Sequence, residues 1–484
     1  MEHPHHRSPH ERTPLIRGAN GRQGNQANKV SQDSPEYKRW RRLMLTLLVI
    51  AYTGYYFCRT NLPLAIPDLE KKEGFTRTDI SSILASGYVL FLIGKFMSGY
   101  LIDKFGGKAT LLGGLIGSIV TTALFTLKLH PVWFAILRAL NQLCSSVGWG
   151  ACVKTVRRWY EPSRAAHAVA IASLAETAGD AFVRVTLGLT LVAGLSWNQM
   201  FYISAAIAAC LLIPSCFVPA SPQAKGFDAP QEQNQAAREA MRDRSVYTEG
   251  SGDGGLRPFL KNTRAWLLSF ELLGVVLIRE SFASFVSALI ASEINLSTGY
   301  SAVASAIFPT VGAISAMGGG ILLDKTRQNR RALIPLISLT GLAAALLGMW
   351  AVTPSNAGES LSGYGHDTLF TQEMALFLGM IGLVAVFLFA PKVIFDGAFV
   401  MDLAGGPEHL GSLTAFVTGV GYLGGCISPF VSGALADSKG WPTAILVLAG
   451  ISSTITVASA VYWFLDMKKL KETSRDEESH VPEE

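Results

Sequence analysis

The chain has 484 residues, 49% of them hydrophobic and only 16% charged, with a mean hydropathy of +0.32. Soluble domains carry about 25% charged residues. Here the charges are bunched between long apolar runs, which excludes a soluble globular domain and indicates an all-α polytopic membrane protein. The formal charge of +5 does not point to a nucleic-acid partner, because the basic residues cluster beside the apolar runs.

Residues 1–37 are polar, lack apolar periodicity and read as a disordered cytosolic tail with no cleavable leader. Within them Glu11-Arg-Thr-Pro-Leu15-Ile16 resembles the acidic dileucine signal that adaptor proteins read to route membrane proteins to lysosomes, vacuoles or endosomes. Lys38, Arg39, Arg41 and Arg42 precede the first apolar run and place the N-terminus in the cytosol by the positive-inside rule. Twelve spans follow: 43–65, 79–102, 109–129, 131–155, 165–192, 197–219, 265–290, 298–323, 331–352, 374–401, 410–437 and 441–466. The even count returns the C-terminus to the cytosol, beside Lys468, Lys469 and Lys471. The polar stretch 220–263 reads as a cytosolic linker between six-helix bundles over 38–219 and 264–467, and 468–484 as a cytosolic tail. All six cysteines fall in the spans without metal-ligand spacing, so they read as small packing residues.

Arg59 lies inside the first span, in Tyr52-Thr-Gly-Tyr-Tyr-Phe-Cys-Arg59. An arginine at that depth costs at least about 2.5 kcal/mol, so it should face the bundle interior or an aqueous cavity. Arg279 occupies a matching place in the seventh span. A guanidinium presents a planar fork of donors that fits phosphate or carboxylate oxygens. Two forks from two halves suggest a clamp for an anion, provided they converge and are not each held permanently against a carboxylate.

Glu280 adjoins Arg279 but projects about 100° around the helix, which makes it a poor expected partner. Asp180, four residues before Arg184, suits a local pair instead. Lys392 and Asp396 share the same spacing and either pair or line the cavity. Tyr56, with Tyr52, Tyr55 and Tyr88, offers a hydroxyl to a ligand or packs near the interface. Counted within the spans, Arg59, Lys95, Lys154, Arg184, Arg279 and Lys392 face Glu176, Asp180, Glu271, Glu280 and Asp396. So balanced a set is less uniformly basic than phosphate alone would require.

The halves echo each other. Gly99-Tyr-Leu-Ile-Asp103-Lys104 follows the second span, and Gly320-Ile-Leu-Leu-Asp324-Lys325 follows the eighth. Arg59 stands 44 residues before Asp103, and Arg279 stands 45 before Asp324. This doubled turn resembles the signature loop of the major facilitator superfamily. The resemblance implies two pseudo-symmetric six-helix bundles rocking about a midplane site, with Asp103, Lys104, Asp324 and Lys325 in gating or structural roles.

Gly54-Tyr-Tyr-Phe-Cys-Arg59-Thr-Asn-Leu-Pro63 with Gly74-Phe-Thr-Arg-Thr-Asp79, then Ser86-Gly87, Lys95-Phe96, Gly148-Trp149 and Gly421-Tyr-Leu-Gly-Gly425, is similar to the organophosphate:phosphate antiporters, the family of the glycerol-3-phosphate/phosphate exchanger. That resemblance implies that Arg59 and Arg279 grip phosphate while Lys95 adds charge nearby. It puts Lys154, a candidate substrate-binding residue with Lys95, Tyr56 and Lys392, where the exchangers carry arginine, and Glu176 where they carry histidine. Glu176 is then a proton-coupling site, a receptor for an ammonium group, or one half of a fixed salt bridge to Lys154. Asp180 is grouped with it.

The expectation is a secondary active transporter of a small anion, phosphate or an organophosphate first, by antiport with phosphate or coupled to protons. The alternatives are a proton-coupled carrier of amino acids, short peptides or other zwitterions, and a non-transporting receptor or scaffold on a transporter fold. With no nucleophile–base pair, phosphate-binding loop or metal cluster, neither enzyme activity nor a cofactor is expected. The expected partners are the substrate, the lipid bilayer and adaptor proteins, at a lysosomal, vacuolar or endosomal membrane in preference to the plasma membrane.

Overall fold

The computed structural model describes residues 34–127, 130–160, 162–227, 260–327, 330–353, 372–404 and 407–479. The dileucine-like Glu11, Leu15 and Ile16, and most of the expected linker, lie outside the described residues. The first half of the chain forms α1 (Pro35–Glu73), α2 (Arg77–Phe105), α3 (Gly107–Leu124), α4 (Pro131–Ser146), α5 (Gly148–Trp159), α6 (Pro162–Val192) and α7 (Trp197–Ser215). The second half forms α8 (Thr263–Glu293), α9 (Thr298–Ala304), α10 (Ile307–Lys325), α11 (Leu333–Val352), α12 (Gln372–Val393), α13 (Val400–Ala404), α14 (Pro407–Pro429), α15 (Leu435–Lys439) and α16 (Trp441–Ser479).

Among the described residues, ten helical stretches are long and apolar enough to cross a bilayer. Two of the twelve expected spans fall short of that measure. The span 131–155 is broken at Val147 into α4 and α5. The span 165–192 is a continuous part of α6, but Glu176, Asp180 and Arg184 dilute its apolar character. The span 298–323 is also jointed, between α9 and α10. Two further helices widen into π turns, at Ile394–Phe399 and Phe430–Ala434. Each follows closely on a proline, Pro391 or Pro429, whose missing N–H disturbs the helical ladder.

Large apolar side chains such as Phe182, Ile213, Phe217, Val457 and Phe464 are exposed on the outside, where a bilayer would cover them. The most enclosed spans are α8 and α1, with 83% and 61% of their apolar windows buried. These are the helices that carry Arg279 and Arg59. Helix α1 packs on α6, α7 and α8, while α8 packs on α14 and α16. The approach of α14 to α8 demands glycine: a Cβ on Gly424 would lie 2.2 Å from the carbonyl oxygen of Leu273.

At one end of the bundle the halves are joined by hydrogen bonds and a ring contact. There Thr298 Oγ1 donates to Asp68 Oδ1 at 2.5 Å, Thr78 Oγ1 donates to Asp437 Oδ2 at 2.7 Å, and Arg77 stacks on Trp441. Between two and three turns inward, Arg184 Nη2 donates to the carbonyl of Ala283 at 2.6 Å. At the opposite end Asp103 pairs with Lys154 of its own half at 2.6 Å, and Asp324 and Lys325 are exposed. The bundle is therefore tied shut at the Asp68 end.

Candidate functional site

Between the halves lies a cluster of charge built on α1, α2, α6, α8 and α12. Glu280 is its most deeply buried member, with a side chain 2% exposed. One oxygen, Oε1, accepts from Arg279 Nη1 at 2.5 Å. The other accepts from the hydroxyl of Tyr88 at 2.7 Å and lies 3.8 Å from Arg59 Nη2. The two arginines thus converge, from opposite halves, on the two oxygens of one carboxylate. This corrects the expectation that Glu280 is a poor partner for Arg279. The 100° offset separates the Cα–Cβ directions, but both side chains are long enough to curl back toward each other, and a buried carboxylate needs the charge.

Arg279 has a second carboxylate at its other edge. Its Nη2 donates to Glu176 Oε1 at 2.6 Å, while its Nε is buried without a partner among the described residues. Nε and Nη2 form the side-on fork of the guanidinium, and Glu176 fills only one arm of it. Glu176 is also the more accessible acid, with its side chain 25% exposed. It belongs to the other half, so Arg279–Glu176 is a bond across the cleft. Lys392 supports it from the π-widened end of α12, 3.9 Å from Glu176 Oε1 and 3.3 Å from Asp396 Oδ2. The expected Lys392–Asp396 pair is therefore present, and it reaches the central cluster as well.

Lys95 lies over the rings of Phe91 and Tyr422, at 5.1 and 6.0 Å, with no carboxylate partner among the described residues. Phe91 also carries the Arg59 guanidinium, 4.9 Å from its ring centre. Tyr56 is buried and packs edge-on against Tyr52. Of the four tyrosines it is Tyr88 that gives its hydroxyl to the cluster, whereas Tyr55 spends its own on the carbonyl of Leu111.

Lys154 is not part of this cluster. It donates to Asp103 Oδ1 and to the carbonyl of Ile102 instead of standing with the candidate substrate-binding residues, and of the roles open to Glu176 the bridge to Lys154 gives way to pairs with Arg279 and Lys392. Val147, at the joint, keeps right-handed helical dihedrals (φ −79°, ψ −19°), and Lys154 on α5 stands beside the Asp103 end of α2. Asp180 is engaged as expected by Arg184, at 3.0 Å, and it also accepts from Thr60 at 2.7 Å. Lys104 lies over the rings of Tyr100 and Phe105 of its own helix. Glu271, one more charge of the spans, is fully buried, and neither of its oxygens has a hydrogen-bond partner among the described residues. Arg138, a further cation of the spans, lies 2% exposed behind Arg59.

Because Glu280 holds cations from both halves, removing it leaves buried positive charges facing each other. Glu280→Ala is expected to cost about 3–5 kcal/mol of stability, seen as earlier thermal unfolding in detergent, while Glu176→Ala costs clearly less.

An all-helical bundle with paired halves and a buried charge cluster between them defines a transporter-type membrane protein. The family model described as "Major Facilitator Superfamily" matches residues 48–398, and the chain belongs to that superfamily. It is 22% identical to the "Probable hexose phosphate transport protein" of Chlamydia muridarum (strain MoPn / Nigg), over 92% of this chain and 94% of that one. It is 23% identical to the "Glycerol-3-phosphate transporter" of Bacillus subtilis (strain 168), over 88% and 93%. It is also 23% identical to the "Membrane sensor protein UhpC" of Escherichia coli (strain K12), over 87% and 92%. Within the superfamily its likeness is thus to the organophosphate:phosphate antiporters. Among solved structures the nucleoside transporter NupG superposes with a TM-score of 0.63 at 16% identity, covering 87% of this chain and 99% of that one. A bacterial homologue of the human lysosomal transporter Spinster, inward-facing and unoccupied, gives 0.62 at 15%, covering 89% and 98%.

Proposed function

We propose that this chain is a secondary active transporter of phosphate or a small phosphate ester, working by alternating access between bundles at 38–219 and 264–467. The observation that carries the reading is the half-filled side-on fork of Arg279. Glu176 holds one arm, Nε is idle, and Arg59 and Lys95 stand in the same cluster from the other half. A phosphate that displaces Glu176 takes both arms of the fork, and Lys392 lies beside it. Glu280 remains as the fixed counter-charge that keeps two guanidinium groups together when the site is empty. The arginines are held by carboxylates, but both the Arg279–Glu176 bond and the 3.8 Å Arg59–Glu280 contact join the two halves, so neither locks an arginine within its own bundle.

Charge balance favours a proton as the companion. Arg59, Lys95, Arg279 and Lys392 against Glu176, Glu280 and Asp396 leave one net positive charge. Protonating the displaced Glu176 leaves two, which a phosphate dianion neutralises. A zwitterionic substrate fits less well, because Glu176 is already shared by two cations and has little left for an ammonium group. With the expected membrane orientation, the Asp103 end faces the cytosol, and the Asp68 end, where the halves are tied, faces away from it. Uptake into proteoliposomes of labelled phosphate, glycerol-3-phosphate, hexose phosphates, carboxylates and dipeptides, with and without a pH gradient, tests the reading. Uptake confined to peptides or carboxylates would overturn it.

A second reading draws on the relative named as a membrane sensor: the same site senses a phosphate compound without carrying it. Binding of a phosphate ester with no uptake or exchange by the purified protein would select it. For location, an internal acidic membrane is favoured by the Glu11, Leu15, Ile16 sequence. Leu15→Ala with Ile16→Ala is expected to shift a fluorescently tagged chain to the cell surface, as seen by microscopy.

A further inference from the structure

Arg138 has a partner that only the sequence of α1 explains. In an α-helix the carbonyl of residue 59 accepts from the N–H of residue 63, but residue 63 is a proline inside α1 and has no N–H. The carbonyl left over belongs to Arg59. It is taken by Arg138, whose Nη1 donates to the Arg59 oxygen at 2.9 Å from α4. Arg138 forms no ion pair with a carboxylate among the described residues, and its Nε is buried without a partner, so the backbone bond is the polar contact it makes there. Gly87 on α2 makes room for it: a Cβ at that position would lie 2.9 Å from Arg138 Cγ and 3.2 Å from its Nε.

We propose that Arg138 is a positioning residue for Arg59, replacing the backbone bond that Pro63 cannot make and so setting where the Arg59 guanidinium stands. Proline breaks the ladder beside the residue that must be placed, and a side chain from a neighbouring helix of the same half holds the loose end. The inference concerns substrate affinity only if Arg59 holds the anion, and to that extent it rests on the function proposed above. A misplacement of about 1 Å can cost on the order of a hundredfold where geometry is exacting.

The test is a cycle between positions 138 and 63, read in two ways. In proteoliposomes loaded with phosphate, Arg138→Met is expected to raise the KM for external glycerol-3-phosphate by roughly ten- to a hundredfold, with little change in maximal rate. Arg138→Lys, which keeps a donor, recovers part of that loss. In a Pro63→Ala background the helical N–H is restored, and Arg138→Met has a much smaller effect on KM. Thermal unfolding in detergent follows the same cycle without any substrate, and the two losses should be non-additive. If Arg138→Met does not fold, Gly87→Ala, which crowds the Arg138 side chain, replaces it on that side of the cycle. Additive losses in both readouts, or an unchanged KM with Arg138→Met, would overturn the proposal. Non-additive unfolding in a protein that carries no phosphate compound would uphold the Arg138–Pro63 coupling while the functional reading fails.

Discussion

Arg59→Lys and Arg279→Lys are each expected to lower phosphate-ester uptake by roughly ten- to a hundredfold, although both keep the charge. At Arg279 the reason is geometric. Lysine offers one compact ammonium in place of a planar fork. It can neutralise Glu280, which Arg279 now contacts through Nη1, or reach toward Glu176, which it contacts through Nη2, but it cannot do both while presenting a third donor to an anion. At Arg59 the guanidinium lies over Phe91 and 3.8 Å from Glu280, an arrangement in which the flat face is used as well as the edge. Uptake at subsaturating substrate, with protein in the membrane quantified in parallel, measures the effect. A loss confined to Arg279 would mean that Arg59 serves structure alone.

Glu176→Gln is expected to retain uptake while flattening its dependence on pH. In the wild-type protein Glu176 leaves Arg279 and Lys392 when phosphate arrives, and it takes a proton as it does so. Acid on the loading side therefore favours binding. Glutamine is already neutral, competes poorly for the fork and has no proton to exchange, so affinity is higher at neutral pH and changes little on acidification. Substrate titrations at several pH values, with equal pH on both sides, separate this from driving-force effects. An amine-binding role for Glu176 predicts the opposite result, loss of transport at every pH. If the pH profile of the glutamine variant matches the wild type, the proton is carried elsewhere.

Much of this arrangement was legible in the chain. Long apolar runs and the doubled Gly-to-Asp turns point to the membrane fold, and Arg59 and Arg279 stand out because arginine is costly in a span. Angular spacing along one helix handled Arg184–Asp180 well, since both side chains stay on one face. It mishandled Arg279–Glu280, where tertiary burial forces neighbours together around the helix. Lys154 could not be placed from spacing along its own helix, because its partners Asp103 and the Ile102 carbonyl lie on another one. For Arg138 the signal in the sequence is Pro63, four residues after Arg59, which marks a carbonyl in need of a donor.

The most direct test is a structure of the protein bound to whichever phosphate compound the liposome assay shows it carries. The account predicts the phosphoryl group on Arg279 Nε and Nη2, within reach of Arg59, with Glu176 withdrawn and Glu280 still in place. A transported phosphate compound bound elsewhere, with the Arg279–Glu176 bond intact, would contradict it.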